Sequence, residues 1–320
     1  MDTQPLYPFL LAPSLHVLVW GGRKLDTRLG KLLPTDQPYG EAWELHDSAS
    51  VVNGPLAGRT IADLVSQYGA ALLGDGHEPA QGMPLLIKLL DANDWLSVQV
   101  HPNDEQAAAL EGQPRGKTEA WYVIDAEPGA RLINGVKPGT TREGIAEAIR
   151  QDTVRDLLQY VEVQPGDGLF MPAGTVHALG PGLLIYEVQQ SSNTTYRLYD
   201  WGRMGLDGKP RALHIDKGTQ VANPDLHSVA KRGEGESGLV FESPYFCTVR
   251  HTLDGSSVEV QTGGCFQAIT VLDGVFSVDA AAESVDVPIG RTAFVPACID
   301  RFVLTGTGTA LRSWMPAPSA

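Results

Sequence analysis

Gly166-Asp-Gly-Leu-Phe-Met-Pro-Ala-Gly174 has a close counterpart later in the chain, Gly290-Arg-Thr-Ala-Phe-Val-Pro-Ala-Cys298. A second pair precedes it in both halves, because Glu119-Ala-Trp-Tyr-Val-Ile-Asp125 resembles Gln267-Ala-Ile-Thr-Val-Leu-Asp273. Two short matches can arise by chance, but the order of the segments and the placement of the proline are the same in both copies. Such self-similarity indicates one architecture built twice.

Short runs rich in apolar and β-branched residues lie between glycines and prolines along the chain. Examples are residues 84–90, 120–124, 168–171 and 183–188. This pattern is typical of a β-sandwich or barrel. We therefore predict a mainly β protein.

Two helices are predicted from capping and spacing. Thr60 and Asp63 form a pattern like a capping box before residues with helical spacing. A second helix is predicted to start near Thr140, with Glu143 three residues later, and to be broken near Thr153. It interrupts the predicted strands.

Composition limits the class of protein and its partners. The chain has 320 residues, of which 42% are hydrophobic, and a formal net charge of −14. At ~100–200 residues per domain this length predicts two or three domain-sized units. The negative charge disfavours non-specific binding of nucleic acid or an anionic membrane, so local Lys and Arg must meet any anionic ligand.

Cysteine usage and the opening segment predict a location. Cys247, Cys265 and Cys298 lie far apart without a CxxC pair, which favours a reducing cytoplasm over a disulfide framework. The segment around Phe9 has no basic stretch before it, and no apolar run approaches the ~18 residues of a membrane span. We expect neither export nor anchoring.

Residues 95–101, WLSVQVH, alternate so that Ser97, Gln99 and His101 share one face of a strand. Burying an unpaired polar group costs about 1–3 kcal/mol, so a bound ion explains an inward polar face better than chance does. His101 taken alone could equally be a strand-end residue that bonds to the backbone. The combination of Ser97, Gln99 and His101 on one inward face makes a bound metal ion the first hypothesis.

The stretch from Gly166 to His177 has the form G(x)5PxG(x)2H and resembles the second motif of the cupin superfamily, in which a hairpin turn delivers the histidine into a barrel. The first cupin motif is matched less well, since Gln99-x-His101 is followed by a long gap to Glu119. With these departures and with residues 116–121 (GKTEAW), the sequence resembles the type I mannose-6-phosphate isomerases, more narrowly their short bacterial forms. The similarity covers nearly the whole chain.

The resemblance implies a metal site built from Gln99, His101, Glu119 and His177, with one zinc ion per chain. Two imidazoles, a carboxylate and an amide oxygen suit a borderline ion such as zinc and leave a position open for solvent or substrate.

The resemblance also implies interconversion of mannose 6-phosphate and fructose 6-phosphate through a cis-enediol. Arg197 matches the arginine regarded as essential in the family, and Lys117 and Glu187 are the other catalytic candidates. Ser97 and Arg203 are candidates for binding the phosphate. The proton-transferring base stays open among Lys117, Glu187, an imidazole and a zinc-bound water.

The predicted architecture is two cupin-type (jelly-roll) barrels with a small helical insertion. Residues 1–135 and 160–235 form a metal-binding barrel, 136–160 the insertion, and 236–320 a degenerate barrel without metal. In that second copy Gln267 and Arg301 stand at the positions of Glu119 and His177.

Two rival functions remain at this point. One is another metal-dependent cupin enzyme, such as a dioxygenase or a different sugar isomerase. The other is a non-catalytic cupin that binds sugar phosphates. For the leading hypothesis the partner is a small-molecule sugar phosphate, with no nucleic acid and no membrane, in the cytoplasm; monomer and homodimer are not distinguished.

Overall fold

The protein is described by a computed structural model over residues 5–231, 237–280 and 283–316. Its strands are β1 Phe9–Ala12, β2 Ser14–Gly22, β3 Tyr39–Leu45, β4 Ser50–Val51, β5 Leu85–Ala92, β6 Val98–Val100, β7 Glu119–Ala126, β8 Arg131–Val136, β9 Leu158–Glu162, β10 Gly168–Met171, β11 His177–Leu179, β12 Leu183–Gln190, β13 Tyr196–Tyr199, β14 Gly238–Glu242, β15 Cys247–Gln261, β16 Gln267–Ala280, β17 Glu283–Pro288, β18 Thr292–Val295 and β19 Arg301–Trp314. The α-helices are α1 Lys24–Thr27, α2 Ile61–Tyr68, α3 Ala70–Leu73, α4 Asp104–Glu111, α5 Arg142–Arg150 and α6 Ile215–Val221, and 3₁₀ helices span Pro79–Gln81 and Val154–Leu157. The prediction of a mainly β protein is confirmed.

The strands form three antiparallel sheets with jelly-roll-like layering. A six-stranded sheet has the order β10-β7-β12-β5-β3-β2, and a five-stranded sheet the order β13-β6-β11-β8-β9. We call these two sheets the N-terminal unit. The eight-stranded sheet runs β14-β15-β19-β16-β18-β1-β4, with β17 beside β16. Within the described residues the sheets stay open rather than closing into barrels.

The eight-stranded sheet recruits a segment from the start of the chain. In β1, Phe9 pairs with Phe294 of β18, and their rings stack with centroids 5.3 Å apart. Both rings are fully buried, and each buried aromatic side chain stabilises the fold by roughly 1.5–3 kcal/mol. The expected boundary between residues 235 and 236 lies outside the described residues, and the division into domains stays a prediction.

The sequence repeat is reproduced in strand register. In the N-terminal unit Glu119 pairs with Met171, where β7 meets β10. In the eight-stranded sheet Gln267 pairs with Val295, where β16 meets β18. These are the positions that the two sequence matches equate, so both copies have the same local ladder.

The helices follow their capping residues. Thr60 caps α2 with both bonds of a capping box. The second helix starts one residue later than predicted, because the Thr141 hydroxyl accepts from the Gly144 N–H at 3.0 Å, whereas the Thr140 hydroxyl donates to the Lys137 carbonyl. None of the described helices is long and apolar enough to cross a membrane.

Helices α5 and α6 cover one face of the five-stranded sheet. Val98 and Val100 of β6 pack there with Ile145 and Ile149 of α5. Because strand side chains alternate, Gln99 points to the opposite face, toward the six-stranded sheet. The helices therefore leave the inner face of β6 for polar groups.

Candidate metal centre and catalytic cavity

Three ligand groups from different strands meet between the two sheets of the N-terminal unit. Candidate ligand atoms of His101, Glu119 and His177 all lie within 4.8 Å of one another, and the three residues are buried. Nε2 of His177 is 3.1 Å from Oε1 of Glu119, and Nε2 of His101 is 3.5 Å from Oε2. The spacing allows one ion to contact all three.

Backbone carbonyls orient both imidazoles. Nδ1 of His101 donates to the Thr194 carbonyl at 2.9 Å, and Nδ1 of His177 donates to the Thr175 carbonyl at 2.9 Å. A carbonyl only accepts, so a neutral ring keeps its Nε2 lone pair free for a ligand bond. Burial and then the nearby Lys117 lower the pKa of His101 well below its usual value, which keeps that ring neutral.

The carboxylate of Glu119 also suits a cation. Burial by itself raises its pKa, but Lys117, His101 and His177 outweigh burial and hold the pKa well below its usual value. Its Oε1 has no hydrogen-bond partner among the described residues although it faces Nε2 of His177. A buried anionic oxygen facing a ring lone pair is stabilised by a bound metal ion, so the donor set fits one.

Gln99 provides a fourth group. Its β-ladder partners are His177 on one side and Arg197 on the other. Its amide lies 3.3 Å from Nε2 of His177, and Ser97 donates to Oε1 at 3.3 Å. Rotating the amide by half a turn would present its oxygen to the ion.

The long gap between His101 and Glu119 is filled by α4. Asn103 caps this helix with a capping box, and the Lys117 N–H closes the loop on the Pro102 carbonyl at 2.9 Å. A Cβ at Gly116 would lie 2.4 Å from the Asn103 carbonyl carbon, so only glycine fits that return. The loop thus brings Glu119 back beside His101.

Lys117 lies inside the ligand cluster. Its buried ammonium is 2.5 Å from Oε2 of Glu119 and 3.1 Å from Nε2 of His101. It also lines a cavity of about 490 Å³ next to the cluster. The same lysine therefore reaches both the ligands and the space for a substrate.

The cavity gathers most of the residues predicted from the sequence. Among its lining residues are Ser97, Gln99, Lys117, Glu187 and Arg197. His101, Glu119 and His177 form the cluster beside it.

Arg203, the second phosphate candidate, does not line this cavity. Its guanidinium contacts Asp200 at 3.0 Å and Asp94 at 3.4 Å and donates to the Trp95 carbonyl. These contacts join the segment before β6 to the segment after β13. Arg211, which sequence reasoning missed, lines the cavity instead and also binds Asp200.

Arg197 has hydrogen-bonding capacity left. It donates from Nη1 to the Ala212 carbonyl at 3.0 Å, while its buried Nε has no partner in the part of the chain that the structure describes. An arginine in this state beside a cavity suits an anionic ligand.

Lys88 was also missed by sequence reasoning. It is buried, 3.2 Å from Glu187 and 3.6 Å from Glu41. Burial by itself lowers its pKa, but Glu41 and Glu187 outweigh burial and raise it, so the ammonium stays charged. The sequence does contain a signal for this residue, because Lys88 is a single lysine inside the largely apolar strand Leu85–Ala92.

Glu187 is fixed from two sides. Lys88 approaches its Oε1, and the indole N–H of Trp121 donates to its Oε2 at 2.9 Å. This carboxylate thus has structural contacts on both oxygens, while the side chain still borders the cavity.

Comparisons with known proteins identify sequence relatives of the chain. The profile of the phosphomannose isomerase type I catalytic domain matches residues 9–127, and that of the mannose-6-phosphate isomerase cupin domain matches residues 238–315. A mannose-6-phosphate isomerase of Streptococcus mutans is 34% identical over 93% of this chain and 95% of its own. Mannose-6-phosphate isomerase ManA of Bacillus subtilis is 37% identical over 86% of this chain and 87% of its own.

A solved structure extends the likeness to the whole fold. The crystal structure of the mannose 6-phosphate isomerase from Bacillus subtilis superposes with a TM-score of 0.86 at 29% identity, over 96% of this chain and 99% of that one. The sequence relatives and the fold agree along most of the chain, and the two family profiles match within that length. The chain belongs to the type I phosphomannose isomerase family.

Proposed function

We propose that this chain is a zinc-dependent aldose–ketose isomerase that interconverts mannose 6-phosphate and fructose 6-phosphate through a cis-enediol. One observation supports this proposal above all. A cluster of His101, Glu119 and His177 lies beside a cavity that Lys117 and Arg197 line. The family relatives named for this activity support the choice of substrate.

In this proposal Gln99, His101, Glu119 and His177 hold one zinc ion. Nitrogen and oxygen donors at a buried site suit zinc, and no thiolate belongs to the cluster. A bound zinc ion supplies Lewis acidity, which stabilises the oxyanion that develops when a proton leaves the carbon next to a carbonyl.

The substrate's anionic groups would be met by the arginines of the cavity. Arg197 offers its unpartnered Nε, and Ser97 adds a buried hydroxyl on the same wall. Arg203 is occupied by Asp200 and Asp94, so we assign it to positioning the chain rather than to the phosphate.

Lys117 is our choice for moving the proton. Lys88 lies between Glu41 and Glu187, which raise its pKa, and Glu187 is engaged by Lys88 and Trp121. Lys117 is also paired with a carboxylate, Glu119, but it borders the cavity, and once released from Glu119 and deprotonated it can exchange protons with groups there. A base must lie within hydrogen-bonding reach of the proton that it takes, which favours this position.

We place the enzyme in the cytoplasm with a small sugar phosphate as its partner. The three cysteines are free of disulfides, which suits a reducing compartment. The net charge of −14 disfavours non-specific nucleic-acid binding.

A coupled assay of fructose 6-phosphate formation from mannose 6-phosphate tests the reaction and the metal together. We expect turnover by purified protein, loss after chelation, and recovery when zinc alone is returned. Metal analysis of the same sample should give about one zinc per chain, matching the one buried ligand cluster found among the described residues. Protein that carries zinc but does not turn over the sugar would refute the proposed function.

A further inference from the structure

A second cavity lies beside the catalytic cavity, behind one segment of chain. Its volume is about 690 Å³, against about 490 Å³ for the catalytic cavity. Asn193 and Thr195 line both cavities, so residues 191–195 form the wall between them. A molecule in the second cavity would touch a segment that also borders the substrate.

Hydroxyl, amide and cationic groups dominate this cavity. Its lining includes Gln81, Arg115, Ser192, Asn193, His214 and Lys217. Such a set can bond to the hydroxyls of a polyol and to the oxygens of a phosphate.

The charges of the cavity favour an anion. Arg115 donates to the Gln81 carbonyl at 2.8 Å, and no carboxylate within the described ranges forms an ion pair with it. Lys217 is 2.7 Å from Glu111, whose Oε1 also accepts from the Tyr196 hydroxyl at 2.8 Å. Among the lining residues one carboxylate thus accompanies two permanent cations, while Asp47 and Asp104 act on Arg115 from outside the lining without forming an ion pair.

The wall and floor of the cavity contact two groups of the catalytic site. The Thr194 carbonyl accepts the Nδ1–H of His101 at 2.9 Å. Nδ1 of His214 accepts from the Arg197 backbone N–H at 3.1 Å, and the His214 N–H donates to the Arg197 carbonyl at 2.7 Å. A ligand that shifts Thr194 or His214 would shift a metal ligand or the catalytic arginine.

We propose that the second cavity binds a phosphorylated polyol and that its occupancy alters the metal affinity at His101 through the Thr194 carbonyl. The coupling rests on the zinc site proposed above, whereas the binding does not. The site differs from the substrate site in its cations, which are Arg115 and Lys217 rather than Arg197.

Calorimetric titration with glucitol 6-phosphate tests the binding. This compound has the hydroxyls and phosphate of a sugar phosphate but no carbonyl, so it cannot isomerise. We expect two bound molecules per chain: Arg197→Ala should remove one, and Arg115→Leu with Lys217→Met should remove the other. Lys137→Met, an exposed lysine at a different surface cavity, should keep both.

The outcomes separate the two proposals. A single bound molecule that Arg197→Ala abolishes would overturn the second site. A single molecule that depends on Arg115 and Lys217 would support it while counting against the proposed substrate site. Thermal melts check that each variant folds, and the single substitutions Arg115→Gln and Lys217→Gln replace the double variant if it does not.

Zinc competition with a chelator tests the coupling. In the Arg197→Ala background only the second cavity should be loaded, and saturating glucitol 6-phosphate is expected to change the zinc dissociation constant by about 5-fold or more, the lower end for coupled sites. Adding Arg115→Leu and Lys217→Met should abolish the change. An unchanged zinc affinity in a protein that binds the probe would overturn the coupling.

Discussion

The N-terminal unit and the eight-stranded sheet place different chemistry on the same strand ladder. Glu119 in the first copy leaves an acceptor oxygen facing the Nε2 of an imidazole. Gln267 at the same position accepts from the Arg312 guanidinium at 2.5 Å and donates to the carbonyls of Thr262 and Cys265 at 3.2 and 3.1 Å. In the first copy Lys117 contacts only Oε2 of the carboxylate and leaves Oε1 open for a metal ion, while in the second copy Arg312 occupies the amide oxygen.

Strand register shows which residue of the second copy stands at the position of a carboxylate in the first. Glu187 pairs with Trp121 in the first copy, and Arg312 pairs with Ile269 in the second. Because the sequence match equates Trp121 with Ile269, a carboxylate in one copy is replaced by a guanidinium in the other. The comparison teaches that the buried oxygen at this ladder position can be bound either by a metal ion or by an arginine.

Glu119→Gln, which gives the first copy the residue of the second, should have the largest effect. We expect loss of zinc and a fall in isomerase rate of roughly 10³-fold or more, because a metal supplies several kcal/mol of charge stabilisation and each 1.4 kcal/mol is tenfold. Zinc content and kcat/KM are measured on the same sample. The matched variant Gln267→Glu should keep one zinc and the full rate, since Arg301 stands where an imidazole would be needed. Retention of zinc by Glu119→Gln would break the ligand assignment.

Arg197→Ala should separate metal binding from turnover. We expect zinc content to stay unchanged while kcat/KM falls by about 10²–10³-fold, the usual loss for one donor to a developing oxyanion. Arg301→Ala, an exposed arginine of the eight-stranded sheet, is the control and should turn over like the unaltered chain. Normal rates in Arg197→Ala would remove it from the catalytic residues.

Much of this comparison was predictable from sequence. The repeat predicted which strand positions correspond, and the residue types at Gln99, His101, Glu119 and His177 predicted a buried polar cluster. The family resemblance predicted Arg197 and Lys117 at the cavity. All of these signals lie in side-chain type and spacing, which the sequence prints directly.

Other features depend on contacts that no spacing reveals. The Thr194 carbonyl orients His101 from 93 residues away along the chain. Arg203 was expected to bind phosphate, but its position six residues after Arg197 could not show that Asp200 and Asp94 would engage it first. Helix α4 was missed even though its capping residues, Asn103 and Gln106, are visible in the sequence.

Arg312→Met tests the cation that occupies the amide oxygen in the second copy. It should leave Oε1 of the buried Gln267 without a donor, at a cost of about 1–3 kcal/mol in unfolding free energy. Replacing both partners, as in Arg312→Met with Gln267→Leu, should recover part of that loss, because neither group is then unsatisfied. Urea unfolding measures both variants, and zinc content and turnover should not change. Equal stability of Arg312→Met and the unaltered chain would mean that the guanidinium does not replace a metal energetically.

The smallest expected effect is the part of the pH dependence of stability that His251, in the second copy, contributes. Burial and then Arg312 lower the pKa of His251 from 6.5 to about 4, and its Nε2 lies 3.3 Å from the Nε of Arg312. Between these two pH values the unfolded chain therefore binds a proton at His251, whereas the folded chain does not. Stability from this group is fully present above about pH 6.5, falls as the pH drops toward 4, and changes no further below that.

His251→Gln should remove this slope. With allowance for solvent near the ring, the unaltered chain should lose about 1–2 kcal/mol more unfolding free energy than the variant over that interval. Urea unfolding of metal-free protein at several pH values measures the difference, because the other histidines contribute equally to both proteins. Arg312→Met should shrink the same slope, because it removes the cation that disfavours protonation of the ring. Parallel pH profiles for His251→Gln and the unaltered chain would contradict the lowered pKa of His251. They would mean that Arg312 does not disfavour protonation of the His251 ring.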